Sequence, residues 1–329
     1  MNNTVGVLGA GRMGRGIALS YAFAGVPVLL VDLKQRDDEQ RQELIDSATS
    51  EMTADLQFLA GVGLVEVKNI PSILDLVSFS HKEDTSQPLA RCKIIYEGVP
   101  EVMEAKEDAF AFANECVADD VIIASTTSTF LVTDLAGLVK NPQRFMNAHW
   151  LNPAHLMPLV EISRSDDTDQ QSVDALIQSL ESVGKMPVVC SASPGYIVPR
   201  IQALAMNEAA RLVEEGVASA EDIDKAINVG FGLRFAVLGL LEFIDWGGGD
   251  ILYYASDYLS RSIGPRYETP DIIRNNMETG RNGLRDDRGF FDYAGTDTSE
   301  YRQRRMQDFV SLLNYKGLLP TYKPSPEHE

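Results

Sequence analysis

The chain has 329 residues, of which 44% are hydrophobic, a size and composition typical of a globular protein with about two domains. Its formal net charge of −19 disfavours nucleic acid and acidic membranes as partners, because a strongly negative field repels polyanions. No run reaches the roughly 18 apolar residues that cross a bilayer, and no basic segment precedes an apolar core at the N-terminus. We therefore expect a cytoplasmic protein with no membrane partner.

Short apolar runs alternate with helical patterns in the first part of the chain. A β-rich run at 4–11 is followed by a helical stretch and then by a second buried strand at 27–32. Strand, helix and strand within about 30 residues form a βαβ unit. Further strands are predicted at 93–99, 121–126, 144–150, 156–162 and 185–190. This alternation predicts an α/β fold with a Rossmann-type, doubly wound sheet.

The predicted secondary structure changes after Ser193, where strand patterns stop. Helical patterns dominate at 196–215, 220–229 and 235–260. We therefore predict an N-terminal Rossmann domain over residues 1–192 and an all-α C-terminal domain over residues 193–329.

The segment "GAGRMG" fits the phosphate-binding pattern G-x-G-x-x-G with Gly9, Gly11 and Gly14. The first glycine permits a tight turn, the second lets the backbone approach a pyrophosphate, and the third allows the helix to pack closely on the strand. The segment follows a predicted strand and opens a predicted helix, which is the context the pattern requires. Arg12 and Met13, inside the same turn, are expected to contact the cofactor that carries this pyrophosphate.

Asp32 lies 23 residues after Gly9, at the end of the second predicted strand. A carboxylate at this position bonds the adenosine ribose 2′-OH and repels a 2′-phosphate, so NAD is favoured over NADP. A solvated turn aspartate is the alternative. Because Lys34 and Arg36 lie nearby, NADP is the alternative cofactor.

The segment "NAHWLNPAHLMPLVEI" contains His149, Asn152 and Glu161. The histidine and the glutamate fall in neighbouring predicted strands and could meet there. A carboxylate on one imidazole nitrogen fixes the tautomer, which leaves the other nitrogen free to take a proton from an alcohol. A purely structural His–Glu pair is the alternative. His149 and His155 form the only close histidine pair, with no cysteine cluster nearby, so no metal site is predicted.

Together these residues resemble the L-3-hydroxyacyl-CoA dehydrogenase family. The resemblance runs over nearly all of residues 4–293. It is carried by "GAGRMGRGIA" with Asp32, "YEGVPEVMEAK", "ASTTSTF", "HWLNP…LVEI", "SPGYIV" and "GFFDY". The order and spacing of this set are far more specific than the glycine pattern alone.

The resemblance implies a general base, His149, and an orienting carboxylate, Glu161. It implies that Ser128 bonds the substrate hydroxyl and that Asn152 holds the substrate and the nicotinamide region. Judged by itself, Ser128 could be only a strand-end cap. The resemblance also implies a homodimer formed through the C-terminal domain.

A second implied set matches the segment that lines the nicotinamide side of the family's pocket. It consists of Glu97, Glu101 and Lys106, of which Glu97 and Lys106 are expected to contact the cofactor. At Pro199 the family usually has an asparagine that reaches the catalytic pocket. The proline falls in or near the first turn of a helix, where it is tolerated, but it has no group that replaces the amide.

The segment 37–61 corresponds to a lysine-rich hairpin that meets the CoA phosphates in relatives acting on CoA thioesters. Here it has one arginine, no lysine and seven Asp and Glu residues, so it would repel those phosphates. "GFGLRFAVLGLLE" (230–242) resembles the branch of lambda-crystallin (L-gulonate 3-dehydrogenase) and L-carnitine dehydrogenase. We predict that Arg234 clamps a substrate carboxylate. A surface or inter-subunit salt bridge is the alternative.

The sequence thus predicts an NAD-dependent enzyme that oxidises the 3-hydroxyl of a small L-3-hydroxy acid. The second candidate is a short-chain 3-hydroxyacyl-CoA dehydrogenase, for example one acting on 3-hydroxybutyryl-CoA. A catalytically silent, crystallin-like nucleotide-binding protein is the third.

Overall fold

The computed structural model describes residues 4–84 and 89–322. The chain divides into two compact units, Met1–Met206 and Asn207–Glu329. The strands are β1 (Val5–Leu8), β2 (Val28–Asp32), β3 (Val77–His81), β4 (Ile94–Glu97), β5 (Ile122–Ser125), β6 (Phe145–Trp150), β7 (Leu159–Arg164) and β8 (Met186–Ser191). The helices that begin in the first unit are α1 (Arg12–Phe23), α2 (Asp38–Gly61), α3 (Ile70–Leu74), α4 (Met103–Cys116), α5 (Val132–Ala136), α6 (Gln170–Ser182) and α7 (Val198–Glu214).

The second unit is helical over its described residues. Its helices are α8 (Ala220–Ala226), α9 (Gly232–Phe235), α10 (Leu240–Gly247), α11 (Gly249–Ser262), α12 (Asp271–Glu278) and α13 (Thr298–Tyr315), with a π-helical turn at Ile227–Phe231. The change between the units falls inside α7. A domain boundary at residue 192 stays a prediction.

The described strands form one sheet of eight, in the order β3-β2-β1-β4-β5-β6-β7-β8. Neighbouring strands are parallel except β6 and β7, which pair antiparallel. The central strands are buried along their whole length, which explains why β1 and β2 read as continuous apolar runs. The predicted Rossmann sheet with a helical C-terminal part is confirmed.

The structure differs from the prediction at two places. No strand was predicted at β3, an edge strand whose sequence "VSFSH" contains two serines and which is only partly buried. The helical pattern predicted as one stretch over 235–260 is interrupted where α10 ends. Gly248 there has a φ of 104°, which favours glycine and ends the helix.

The "GFFDY" motif has a structural explanation inside the second unit. The buried Asp245 carboxylate accepts hydrogen bonds from the backbone N–H groups of Phe290 (3.0 Å) and Phe291 (2.9 Å) and from the Tyr293 hydroxyl (3.2 Å). A Cβ on Gly289 would lie 2.0 Å from Asp245 Oδ1, so only glycine fits. The motif therefore holds the chain after α12 against α10.

No single helix among the described residues is long and apolar enough to cross a membrane. That length and composition are reached only by Ala220–Phe235 together with Leu240–Gly247, two segments bent by 83°.

Candidate active site

A cavity of about 590 Å³ lies at the carboxyl ends of β1, β2 and β4. The strand order reverses at this place, since β1 has β2 on one side and β4 on the other. Such a switch point is where Rossmann sheets bind dinucleotides. The lining includes the turns after the three strands: Gly9–Arg12, Asp32–Lys34 with Arg36, and Gly98–Pro100.

The turn after β1 requires glycine at two of its three motif positions. Gly9 has a φ of 105°, and a Cβ there would lie 2.8 Å from the carbonyl oxygen of Gly98. A Cβ on Gly14 would lie 1.9 Å from the carbonyl oxygen of Gly9. Gly11 is the N-cap of α1. A Cβ there would meet no protein atom within 4 Å, so packing within the protein does not require glycine at this position. These are the features that a pyrophosphate at the start of α1 needs.

The two variable positions of this turn differ in environment. Arg12 is exposed and lines the cavity, whereas Met13 is partly buried against the sheet's hydrophobic core. Arg12 thus lines the cavity, and a cofactor contact by either residue stays a prediction.

Asp32 ends β2 at the edge of the cavity and is only 5% exposed. Its Oδ2 atom accepts a bond of 2.5 Å from Arg36 Nε, and His81 Nδ1 on β3 lies 3.9 Å from the same oxygen. The carboxylate is therefore ion-paired within the protein. A ribose that bonds Asp32 must share it with Arg36 or displace that guanidinium.

Asp32→Ala is expected to raise the KM for NAD⁺ roughly 10- to 100-fold, because hydrogen bonds to a charged acceptor contribute roughly 1.5–3 kcal/mol. Initial rates at varied NAD⁺ and saturating substrate measure this change. Asp38→Ala removes one negative charge from an exposed position nearby and serves as the control. An Asp32→Ala enzyme with the KM of the control would contradict the ribose role.

His149 on β6 and Glu161 on β7 are direct partners in the antiparallel register. His149 Nδ1 lies 2.9 Å from Glu161 Oε2, and the two residues are 7% and 1% exposed. The second carboxylate oxygen, Oε1, accepts the backbone N–H groups of Ile197 (3.0 Å) and Val198 (2.9 Å). Glu161 thus joins the imidazole to the start of α7, which leaves Nε2 as the ring nitrogen free for chemistry.

Pro199 is the second residue of α7 and does not interrupt the helix, which continues to Glu214. Backbone N–H groups in a first turn have no helical partner, so the missing N–H costs nothing there. The N–H groups directly before it are those that bond Glu161. The effect of the proline on substrate binding stays a prediction.

Ser128 lies in an exposed loop after β5 that is organised by one carboxylate. Glu101 Oε1 accepts the N–H groups of Ser128 (3.1 Å) and Thr129 (2.9 Å) and the hydroxyl groups of Thr127 and Thr129. Burial alone raises the pKa of Glu101, but the bonds from Thr127 and Thr129 and the charge of Lys106 together lower it to about 2. The carboxylate therefore stays ionised and fixes the loop. Neither threonine was predicted as a site residue.

Glu97 and Lys106 form an ion pair that is 0% exposed on both sides. Lys106 Nζ bonds both carboxylate oxygens, at 3.2 and 3.1 Å, and lies 3.3 Å from Glu101 Oε2. Glu97 also accepts the Ser125 hydroxyl (2.5 Å) and the Val99 N–H (2.9 Å). The pair joins the ends of β4 and β5 to α4, and direct contact of either residue with a cofactor stays a prediction.

Asn152 is exposed in the segment between β6 and β7. This segment is fixed by Lys185, which was not predicted as a site residue. Its Nζ donates to the carbonyl oxygens of Ala154 (2.7 Å) and Met157 (3.0 Å). Burial lowers the pKa of Lys185 to about 8.

Arg234 belongs to the second unit, where it is exposed with its guanidinium 5.8 Å from the Phe243 ring centre. Its clamp role stays a prediction.

A glycine-lined switch-point cavity and a buried His–Glu pair in the same unit are the features of an NAD-dependent oxidoreductase that acts on a CH–OH group. The chain belongs to the 3-hydroxyacyl-CoA dehydrogenase family. The family's NAD binding domain matches residues 4–193, and its C-terminal domain matches residues 195–293. The predicted family and cofactor are thus confirmed, whereas the lambda-crystallin branch stays a prediction.

Curated relatives and solved structures agree with this assignment. The chain is 31% identical to a probable 3-hydroxybutyryl-CoA dehydrogenase of Deinococcus radiodurans, over 88% of this chain and 99% of that protein. A solved 3-hydroxyacyl-CoA dehydrogenase of Archaeoglobus fulgidus is 30% identical, with a TM-score of 0.77 over 96% of this chain and 99% of that one.

A third relative is named for a different substrate. The 5-formyl-3-hydroxy-2-methylpyridine 4-carboxylate 5-dehydrogenase of Mesorhizobium japonicum is 27% identical over 95% of this chain and 97% of that protein. A solved 5-dehydrogenase for the corresponding acid, described as an NAD⁺-dependent dismutase, is 26% identical. It has a TM-score of 0.68 over 95% of this chain and 97% of that one.

Proposed function

We propose that this protein oxidises the 3-hydroxyl of a small, free L-3-hydroxy acid to the 3-keto acid. His149 Nε2 takes the hydroxyl proton while Glu161 holds Nδ1–H and stabilises the imidazolium. Ser128 and Asn152 position the carbonyl that forms. When bound, NAD⁺ accepts the hydride from the substrate carbon.

The choice of a free acid over a CoA thioester depends on the acidic surface of α2. Two cations on and beside α2 are already paired with acids: Arg41 lies 3.0 Å from Glu83, and Arg15 lies 2.5 Å from Glu51. The segment 37–61 has seven Asp and Glu residues and no lysine, so it would repel the phosphates of CoA. That surface is the observation that carries the proposal.

Relatives support both substrate classes. The Mesorhizobium enzyme is named for a substrate that contains a carboxylate and has no CoA, which supports a free acid held by Arg234. The 3-hydroxybutyryl-CoA dehydrogenases of Deinococcus radiodurans and Mycobacterium tuberculosis, each 31% identical, favour a short-chain acyl-CoA as the second candidate. The catalytically silent alternative is disfavoured by the intact His149–Glu161 pair.

We also propose that the protein is a cytoplasmic homodimer. The apolar residues Ile251, Tyr254 and Tyr258 recur at helical spacing on α11, and each is more than 60% exposed. Such a stripe is suited to a subunit contact through the second unit.

A panel of free 3-hydroxy acids and their CoA thioesters, assayed by NADH absorbance, tests the substrate. We expect a higher kcat/KM for a free acid, and a KM about 100-fold higher for that acid in Arg234→Ala, because a bidentate charged contact is lost. Arg302→Ala is a matched control, since Arg302 is also exposed with its guanidinium 5.0 Å from an aromatic ring centre, that of Trp246. Preferred turnover of a thioester that is unaffected by Arg234→Ala would refute the free-acid proposal in favour of the second candidate.

A further inference from the structure

Tyr196 lies in the turn that leads into α7 and contacts both the His149 ring and the loop that carries Ser128. It is 6% exposed and has a left-handed backbone φ of 45°, which is uncommon for a residue with a side chain. The N–H groups of the next two residues are those bonded to Glu161. The turn therefore contacts the carboxylate of the pair through its backbone.

The ring of Tyr196 contacts the other half of the pair. It stacks on the His149 imidazole with 5.0 Å between ring centres and 15° between planes. At this distance the two rings are in contact, so the phenol ring covers one face of the imidazole. It also prevents the imidazole from tilting away from the strand.

The hydroxyl of Tyr196 contacts the Ser128 loop. It donates to the carbonyl oxygen of Thr127 (2.8 Å) and accepts a bond from Asn147 Nδ2 (3.0 Å). Asn147 Nδ2 also donates to the carbonyl oxygen of Phe130 (3.0 Å), at the other end of that loop. Burial raises the pKa of the Tyr196 hydroxyl, so the group remains a neutral donor.

We propose that Tyr196 is a positioning residue that fixes the distance between the His149 ring and Ser128. The ring holds the base, the hydroxyl holds the loop, and the same residue therefore sets both ends of the gap that a substrate hydroxyl must fill. A displacement of about 1 Å in such a gap is enough to lower a rate by orders of magnitude. This inference rests on the proposed roles of His149 and Ser128.

Two variants separate the functions of the ring and the hydroxyl. Tyr196→Phe keeps the stack and removes the bond to Thr127, so we expect kcat to fall about tenfold with little change in the pH–rate profile. Tyr196→Leu removes the stack as well, so we expect kcat to fall further while the KM for NAD⁺ stays within twofold, because only the position of the base is disturbed.

A matched control and a double variant test whether the effect passes through the Ser128 loop. Tyr21→Phe removes an equally buried hydroxyl that also has two partners, Tyr96 and Ser179, and should leave kcat within twofold. If Tyr196 acts by placing Ser128, Tyr196→Phe should cost less than twofold further once Ser128 is alanine. Multiplicative effects, or a Tyr196→Phe enzyme equal to the control, would overturn the proposal.

Proton NMR of the four histidines in the apo-protein makes the test independent of the substrate. His149→Gln assigns the relevant imidazole signals, and Tyr196→Leu should move them downfield, because the ring current of a stacked phenol shields protons above its face. Unchanged chemical shifts would contradict the stacking role even if the enzyme acts as proposed. Shifted signals in a protein that oxidises no hydroxy compound keep the stacking role and reject the proposed function instead.

Discussion

Replacing His149 with glutamine is expected to lower kcat about 10³-fold while the affinity for NAD⁺ stays within twofold. A positioned general base contributes roughly 10²–10⁴-fold to proton transfer, and glutamine has no group that takes a proton at neutral pH. The cofactor cavity, formed by the turns after β1, β2 and β4, does not include His149 among its lining residues. The measurement is a pair of assays, NADH formation with the preferred substrate and NAD⁺ binding by calorimetry.

His155→Gln is the matched control for this variant. His155 is also a little-exposed histidine with an acidic partner, since its Nδ1 lies 3.6 Å from Asp55 Oδ2. It has no proposed part in the reaction, and we expect its kcat to stay within twofold. Equal activity of the two variants would remove His149 from the mechanism, and an equal loss in both would indicate damage to the sheet.

The sequence predicted the dinucleotide site because that site is made of local features. A glycine turn after a strand and an acid after the next strand are each defined within a few residues. The parallel order of the sheet then brings the two strand ends together. The pairing of His149 with Glu161 was foreseeable for a similar reason, because a single antiparallel connection separates them.

The parts that were missed depend on contacts between distant segments. Nothing near Tyr196 in the chain indicates that its hydroxyl will reach Thr127, 69 residues earlier, or that its ring will lie on an imidazole. Lys185 likewise reads as the start of a strand, and only the folded sheet brings it to the carbonyl groups of the Asn152 segment. Arg36 was considered only for cofactor choice, whereas in the fold it neutralises Asp32.

Glu161→Gln is expected to lower kcat about 10³-fold by changing which imidazole nitrogen carries the proton. One carboxylate oxygen receives two backbone N–H groups and the other faces His149 Nδ1. A glutamine has only one oxygen, which must stay with the two N–H donors, because leaving them buried and unpaired costs roughly 1–3 kcal/mol each. Its NH₂ group then faces Nδ1, which has to accept, so the ring proton moves to Nε2.

That tautomer blocks the atom that is to take the substrate proton, and a wrong tautomer in a catalytic triad has a penalty of about 10⁴. Nitrogen-15 NMR of the imidazole distinguishes the two tautomers directly. Glu181→Gln, an exchange at an exposed position, controls for the lost charge. An unchanged tautomer with kcat within tenfold of the wild type would contradict this role. A double variant tests whether Glu161 acts through the imidazole. If it does, adding Glu161→Gln to His149→Gln should lower kcat almost no further. An independent role for the carboxylate would instead multiply the two losses in kcat.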